Sequence, residues 1–172
     1  MKTIKIKKLL CVVMLISFCG AQAQIKKENV LKAWDNMTKM VVETAKAMPE
    51  EHYEFKPTPE LRDFAEQMAH TSGANYLFAS VVKLESPKPN PVTSTKVKQE
   101  LIAQMEGSFA FIRSGIENLS MQDLGEEIEF FGNKMSRFQS ILIMTSHLQR
   151  EHGKSTIYTR LKGIPPGPSG GW

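Results

Sequence analysis

The chain has 172 residues, with 22 basic and 18 acidic side chains and two cysteines. Four of the basic residues and both cysteines lie in the first 23 positions; 22 basic residues less these four leave 18, matching the 18 acidic ones, so the remainder is formally neutral. A neutral remainder without a basic stripe argues against a nucleic-acid or anionic-membrane partner, and a remainder without cysteine excludes disulfide stapling.

Taken in chain order, the first segment is MKTIKIKKLLCVVMLISFCGAQAQ. Lysines 2, 5, 7 and 8 precede an apolar run from Leu9 to Phe18, and Ala21-Gln22-Ala23 supplies small residues for cleavage. Residues 1–23 are predicted to be a signal peptide, too short for a comfortable membrane span. Lipidation at Cys19 would want a small residue where Phe18 stands, so cleavage after Ala23 is the favoured reading. The expected location is therefore the periplasm or the exterior, with no stable membrane association after cleavage. Residues 24–166 form the expected domain, and 167–172 a flexible tail.

From Lys26 to Ala47, Val30, Trp34, Met37, Val41 and Ala45 recur at helical spacing. Met48-Pro49 ends that helix, and EEHYEFKPTPE follows as a polar connector. A second helix is expected from Pro59, capped by Thr58, to Lys83, with Leu61, Phe64, Ala65, Met68, Leu77 and Phe78 as its apolar residues. Gly73 inside it suggests a close helix contact. SPKPNP at 86–91 reads as a loop. A third helix is expected from Thr95 to Asn118, with Leu101, Ile102, Met105, Phe109 and Ile112 on one side. Residues 119–133, with Gly125 and Gly132, read as a loop with room for one short turn, and a fourth helix runs from Lys134 to Lys162, capped by Gly163 before Pro165-Pro166. With no strand predicted, the fold class is all-α, an up-and-down four-helix bundle.

The polar residues of interest lie on the second and fourth helices. His70 shares its face with Ala74, Leu77 and Val81, so it is expected to point inward. His147 and Glu151 are four residues apart, about 40° round the helix, and can converge on one point. His152, about 140° from His147, converges only on a distorted helix and is a fallback ligand. The bland alternatives are a hydrogen-bonded core histidine and an ordinary surface His–Glu pair. His52 reads as solvated, and the eight methionines outside the leader as core filling.

The stretches MPEEHYEFKPTPELRDFAEQMAH and HLQREHGKSTIYTRLKGIPP resemble the DinB/YfiT-like superfamily, over nearly the whole chain from Val30 to Pro166. The resemblance implies a bundle with a metal site at its middle, made by one histidine of the second helix and a His-x3-His pair of the last. His70 and His147 match the first two positions. The third falls on Glu151, the glycine after it on Gly153, and the glutamine that often follows is Lys154 here. A His2Glu set accepts zinc, nickel or manganese. Lys154 is placed to pair with Glu151 and reduce its availability, and Tyr158 and Lys154 are candidate supporting groups. Relatives include thiol-dependent transferases and isomerases and metal-dependent hydrolases. The implied function is an exported metal-dependent hydrolase or transferase acting on a small-molecule substrate. The alternative is a non-catalytic bundle with a degenerate site, acting as a binding or structural protein. No catalytic residue beyond the ligands is assigned, and the oligomeric state is left open, a homodimer through one helix face being one common arrangement for such bundles.

Overall fold

The computed structural model describes residues 26–84 and 92–165. The expected signal peptide, the SPKPNP loop and the tail fall wholly or mostly outside them. Helix α1 spans Lys27–Ala47, α2 Phe64–Val82, α3 Lys98–Asn118, α4 Met121–Gly125 and α5 Arg137–Leu161. Strands β1, Glu127–Phe130, and β2, Asn133–Ser136, form an antiparallel hairpin between α4 and α5. No helix among the described residues is long and apolar enough to cross a membrane.

The four long helices form the bundle. Helix α3 packs on α1 and α2, and α5 packs on the same two from the opposite corner. Pair contacts give the directions. Lys27 reaches the carbonyls of Glu117 and Leu119, and Lys98 reaches those of Lys46 and Met48, so α1 and α3 are antiparallel. Asp63 pairs with Lys96, Asn75 with Ser108, and Leu84 lies against Gly115, so α2 and α3 run the same way. Arg62 meets Tyr158 and Val82 meets Arg137, so α5 is antiparallel to α2; the fold is the expected all-α bundle, but its long helices run up, down, down, up rather than in strict up-and-down alternation.

The core contains the predicted faces of α1 and α3: Val30, Trp34, Met37, Val41 and Ala45, and Leu101, Ile102, Met105, Phe109 and Ile112, are all buried. The Trp34 indole N–H donates to the Phe109 carbonyl at 3.1 Å, satisfying the one polar atom of that large ring. The connector departs from its polar reading. Tyr53 is fully buried, donates to the Ala45 carbonyl at 2.9 Å and meets Phe64 edge to face, closing one end of the bundle. His52 is half-buried in a short 3-10 turn, Glu50–His52.

Three helix starts differ from expectation, two of them because a capping box fixes the first turn. Helix α2 begins at Phe64, not Pro59, because Asp63 and Glu66 form a reciprocal capping box while Thr58 and Leu61 close a separate turn. Helix α3 begins at Lys98 with no side-chain cap from its own N-cap residue, Val97; Thr95 bonds the Val97 N–H and the Glu100 carboxylate in the turn before it, and the Glu50 carboxylate accepts the Lys98 N–H at 3.1 Å. Helix α5 begins at Arg137 because Ser136 and Gln139 form another capping box, and residues 133–136 belong to β2. The expected loop at 119–133 thus holds α4 and most of a hairpin. Leu61 and Leu77 are exposed rather than core. Gly73 makes no close helix contact; a Cβ there would meet only Val92, at 3.9 Å. Gly115 is the close approach instead, where a Cβ would sit 2.9 Å from that of Leu84. Gly163 ends α5 as expected, with φ +71°.

Candidate metal centre

The antiparallel pairing of α2 and α5 brings His70 opposite His147, with ring centroids 5.7 Å apart. Glu151 lies one turn beyond His147. One ligand atom from each of His70, His147 and Glu151 lies within 4.8 Å of the other two. A tetrahedral shell with bonds of about 2.0–2.1 Å spaces its ligand atoms by roughly 3.3 Å. The three ligand atoms are therefore gathered in a wider arrangement than a bound ion would hold, one that a shared ion would draw inward.

Glu151 is 1% exposed. The Gln67 amide donates to Oε2 at 2.9 Å, Lys154 Nζ to both oxygens at 2.8 and 3.0 Å, and Arg150 Nε to Oε1 at 3.3 Å. Burial pushes its carboxyl up, but the bonds from Lys154 and Gln67 and the Lys154 charge outweigh this and bring it down to about 2. The carboxylate is ionised at any physiological pH. Lys154 pairs with it as the sequence suggests.

The His147 ring is held at one nitrogen. Arg150 Nη2 lies 2.8 Å from Nδ1, and since a guanidinium only donates, Nδ1 is the unprotonated nitrogen. Nε2 is buried and has no hydrogen-bond partner among the described residues. A buried polar atom without a partner costs about 1–3 kcal/mol and asks for an explanation. A cation held by Nε2 would supply one, and that would require the imidazole proton on Nδ1 and Arg150 turned away from it. Burial, then Glu151 pulling the other way, then Arg150 leave His147 below its ordinary pKa. His70 is lowered by burial and then by the Arg62 charge, against Glu151. Both imidazoles are thus kept neutral, the form that binds metal.

His152 is not part of the set. It is buried, and its Nε2 lies 3.0 Å from Thr44 Oγ1. Thr44 spends its own hydrogen on the Met40 carbonyl, so His152 is the donor, tying α5 to α1. The regular helix keeps it on the side away from His147. Tyr158 does not touch the donor groups either; its hydroxyl donates to the Arg62 carbonyl at 2.9 Å, and its ring meets Phe55 and Phe64. Gln67 and Arg150 were not singled out from the sequence. Gln67, one turn before His70, was within reach of the same helical reasoning. Arg150 was not, since nothing in its spacing shows that its head folds back onto His147.

Residues 33–153 match the DinB superfamily. The chain belongs to the DinB superfamily. Its fold is similar to that of a DinB-like protein from Bacillus cereus ATCC 10987, with a TM-score of 0.73 at 15% identity, over 82% of this chain and 95% of that one. A DinB-like protein from Bacillus subtilis is also similar, with a TM-score of 0.65 at 18% identity, over 81% of this chain and 95% of that one. No curated protein matches the sequence. At these identities the likeness concerns the fold alone, and the site of this DinB domain rests on its own residues.

Proposed function

We propose that this DinB domain holds one divalent cation, zinc, nickel or manganese, on His70, His147 and Glu151, and acts as an exported metal-dependent hydrolase or transferase on a small molecule. The observation that carries this reading is the convergence of two neutral imidazoles and an ionised carboxylate within 4.8 Å, with His147 Nε2 buried and unpartnered among the described residues. Three protein ligands leave positions for water or substrate, and an ion there supplies Lewis acidity to acidify a water or thiol or polarise a carbonyl. The chain's own groups do the rest. Gln67 orients the carboxylate, and burial keeps both imidazoles unprotonated. Hydrolysis is favoured over transfer because an exported protein has little access to an abundant cytosolic thiol.

A second reading is a non-catalytic bundle whose site has been filled by its own side chains. It is favoured by Lys154, whose ammonium already bridges both Glu151 oxygens. Metal content decides between them. Tag-free protein should take up one equivalent of zinc, and His70→Ala should lose it. Equal, substoichiometric zinc in both proteins would leave only the second reading.

A further inference from the structure

A cleft of about 480 Å³ opens beside the donor set, between the 57–62 turn and α5. It shares a wall with the site, because Gln67 and Lys154 line it and each also bonds Glu151. Leu61 and Ile157, 47% and 53% exposed, give the cleft apolar surface beside the Tyr158 ring. Its charged lining is Arg62, Lys154 and one acid, Glu60, which is hydrogen-bonded to the Thr58 side chain. Arg62 is exposed and has no carboxylate within ion-pair distance among the described residues. Its charge nevertheless reaches the donor set, where it lowers the His70 pKa. A dication on the site would compete with Lys154 for the two Glu151 oxygens and turn the ammonium toward the cleft it lines.

We propose that this cleft is the substrate subsite and takes a small molecule with an apolar body and a terminal oxyanion, carboxylate or phosphate, gripped by Arg62 and, after metal loading, by Lys154 as well. The Lys154 part rests on the metal reading; the Arg62 part does not. A guanidinium offers a planar fork that matches either oxyanion. Because loading frees a second cation, metal and anion bind with positive coupling, and each tightens the other by the same factor.

The test is a calorimetric titration of tag-free protein, without metal and with one equivalent of zinc, using 4-phenylbutyrate, phenyl phosphate and the neutral 4-phenylbutyramide. At least one anion binds, about tenfold or more tighter to the zinc form, and the amide does not bind at the same concentrations. Arg62→Gln weakens the anion roughly tenfold in either form while zinc uptake stays at one equivalent. Which anion binds identifies the oxyanion. Amide binding as tight as the anions, anion binding unchanged in Arg62→Gln, or no anion binding to either form overturns the proposal. Arg62-dependent anion binding without zinc uptake would remove the metal reading and leave the cleft standing.

Discussion

Glu151 receives donors from three side chains, and two of them are cations. That surplus sets the difficulty of loading the site: an incoming dication competes with Lys154 for both carboxylate oxygens and needs Arg150 to leave His147 Nδ1. Lys154→Gln removes the first competitor while keeping a side chain of similar length. Zinc affinity, measured by competition with a chromophoric chelator, is expected to rise roughly tenfold, the equivalent of about 1.4 kcal/mol. An unchanged affinity would show that the ammonium does not compete with the metal. His152 supplies the contrasting case, a histidine with a structural partner. Thr44→Val removes the acceptor of its buried N–H and is expected to cost about 1–3 kcal/mol in denaturant unfolding. Zinc uptake should stay at one equivalent in that variant, which separates the two histidines of α5 by function.

Among the elements, the ends of α2 carry the most information. Lys83 closes the helix in the left-handed region at φ +56°, where its N–H bonds back to Ser80 and that of Leu84 to Ala79. A side chain there costs roughly 1 kcal/mol that glycine does not. Lys83→Gly is expected to raise stability by about 0.5–1 kcal/mol, read as a higher denaturant midpoint at unchanged slope. The opposite holds across the interface. Gly115→Ala would place a methyl 2.9 Å from the Leu84 Cβ, forcing α3 from the end of α2, with an expected loss of about 1–3 kcal/mol. Helices α1 and α3 were legible because each shows one clean apolar stripe. Helix α2 was less so, since Gln67, Thr71, Ser72 and Asn75 are buried among its apolar residues, with Asn75 bonded to Ser108 and Ser108 to the Ser72 carbonyl. Such buried polar contacts satisfy the helices in pairs and blur the hydropathy pattern of either one. The hairpin was missed for a different reason. Its strands have four residues each, and its turn is Phe131-Gly132, with both φ values positive, rather than the Asn-Gly or Asp-Gly that announces such a turn. The closeness of His147 and Glu151 was legible because a regular helix carries i, i+4 geometry from sequence to space, whereas the meeting of His70 with them across two helices was implied only by the family resemblance. His152 and Tyr158 belong elsewhere because α5 buries them against α1 and the connector.

At the scale of the molecule, the connector is one lock on the bundle, and the proposed metal site would be a second. Tyr53 is the first: burial, then the Glu50 charge, raises its phenol above the ordinary value near 10, so the folded state holds that proton more tightly than the unfolded chain. The stability this contributes is complete below about pH 10 and is lost as pH rises toward the folded pKa. Tyr53→Phe should flatten that alkaline loss. The proposed metal site differs because it would act only when loaded. Its ligands come from α2 and α5, which unfolding separates, so an ion held by all three binds the native state in preference to the chain. At free zinc about a hundred times the dissociation constant, the native state gains about 2.7 kcal/mol. For a domain of this size, each kcal/mol moves the midpoint by about 2–4 °C, so the melting temperature should rise by roughly 5–10 °C over that in chelator. Because His70 is the one ligand contributed by α2, His70→Ala should melt at the same temperature with zinc as with chelator. A zinc-dependent rise of equal size in that variant would mean that the ion binds α5 alone and does not bridge the bundle.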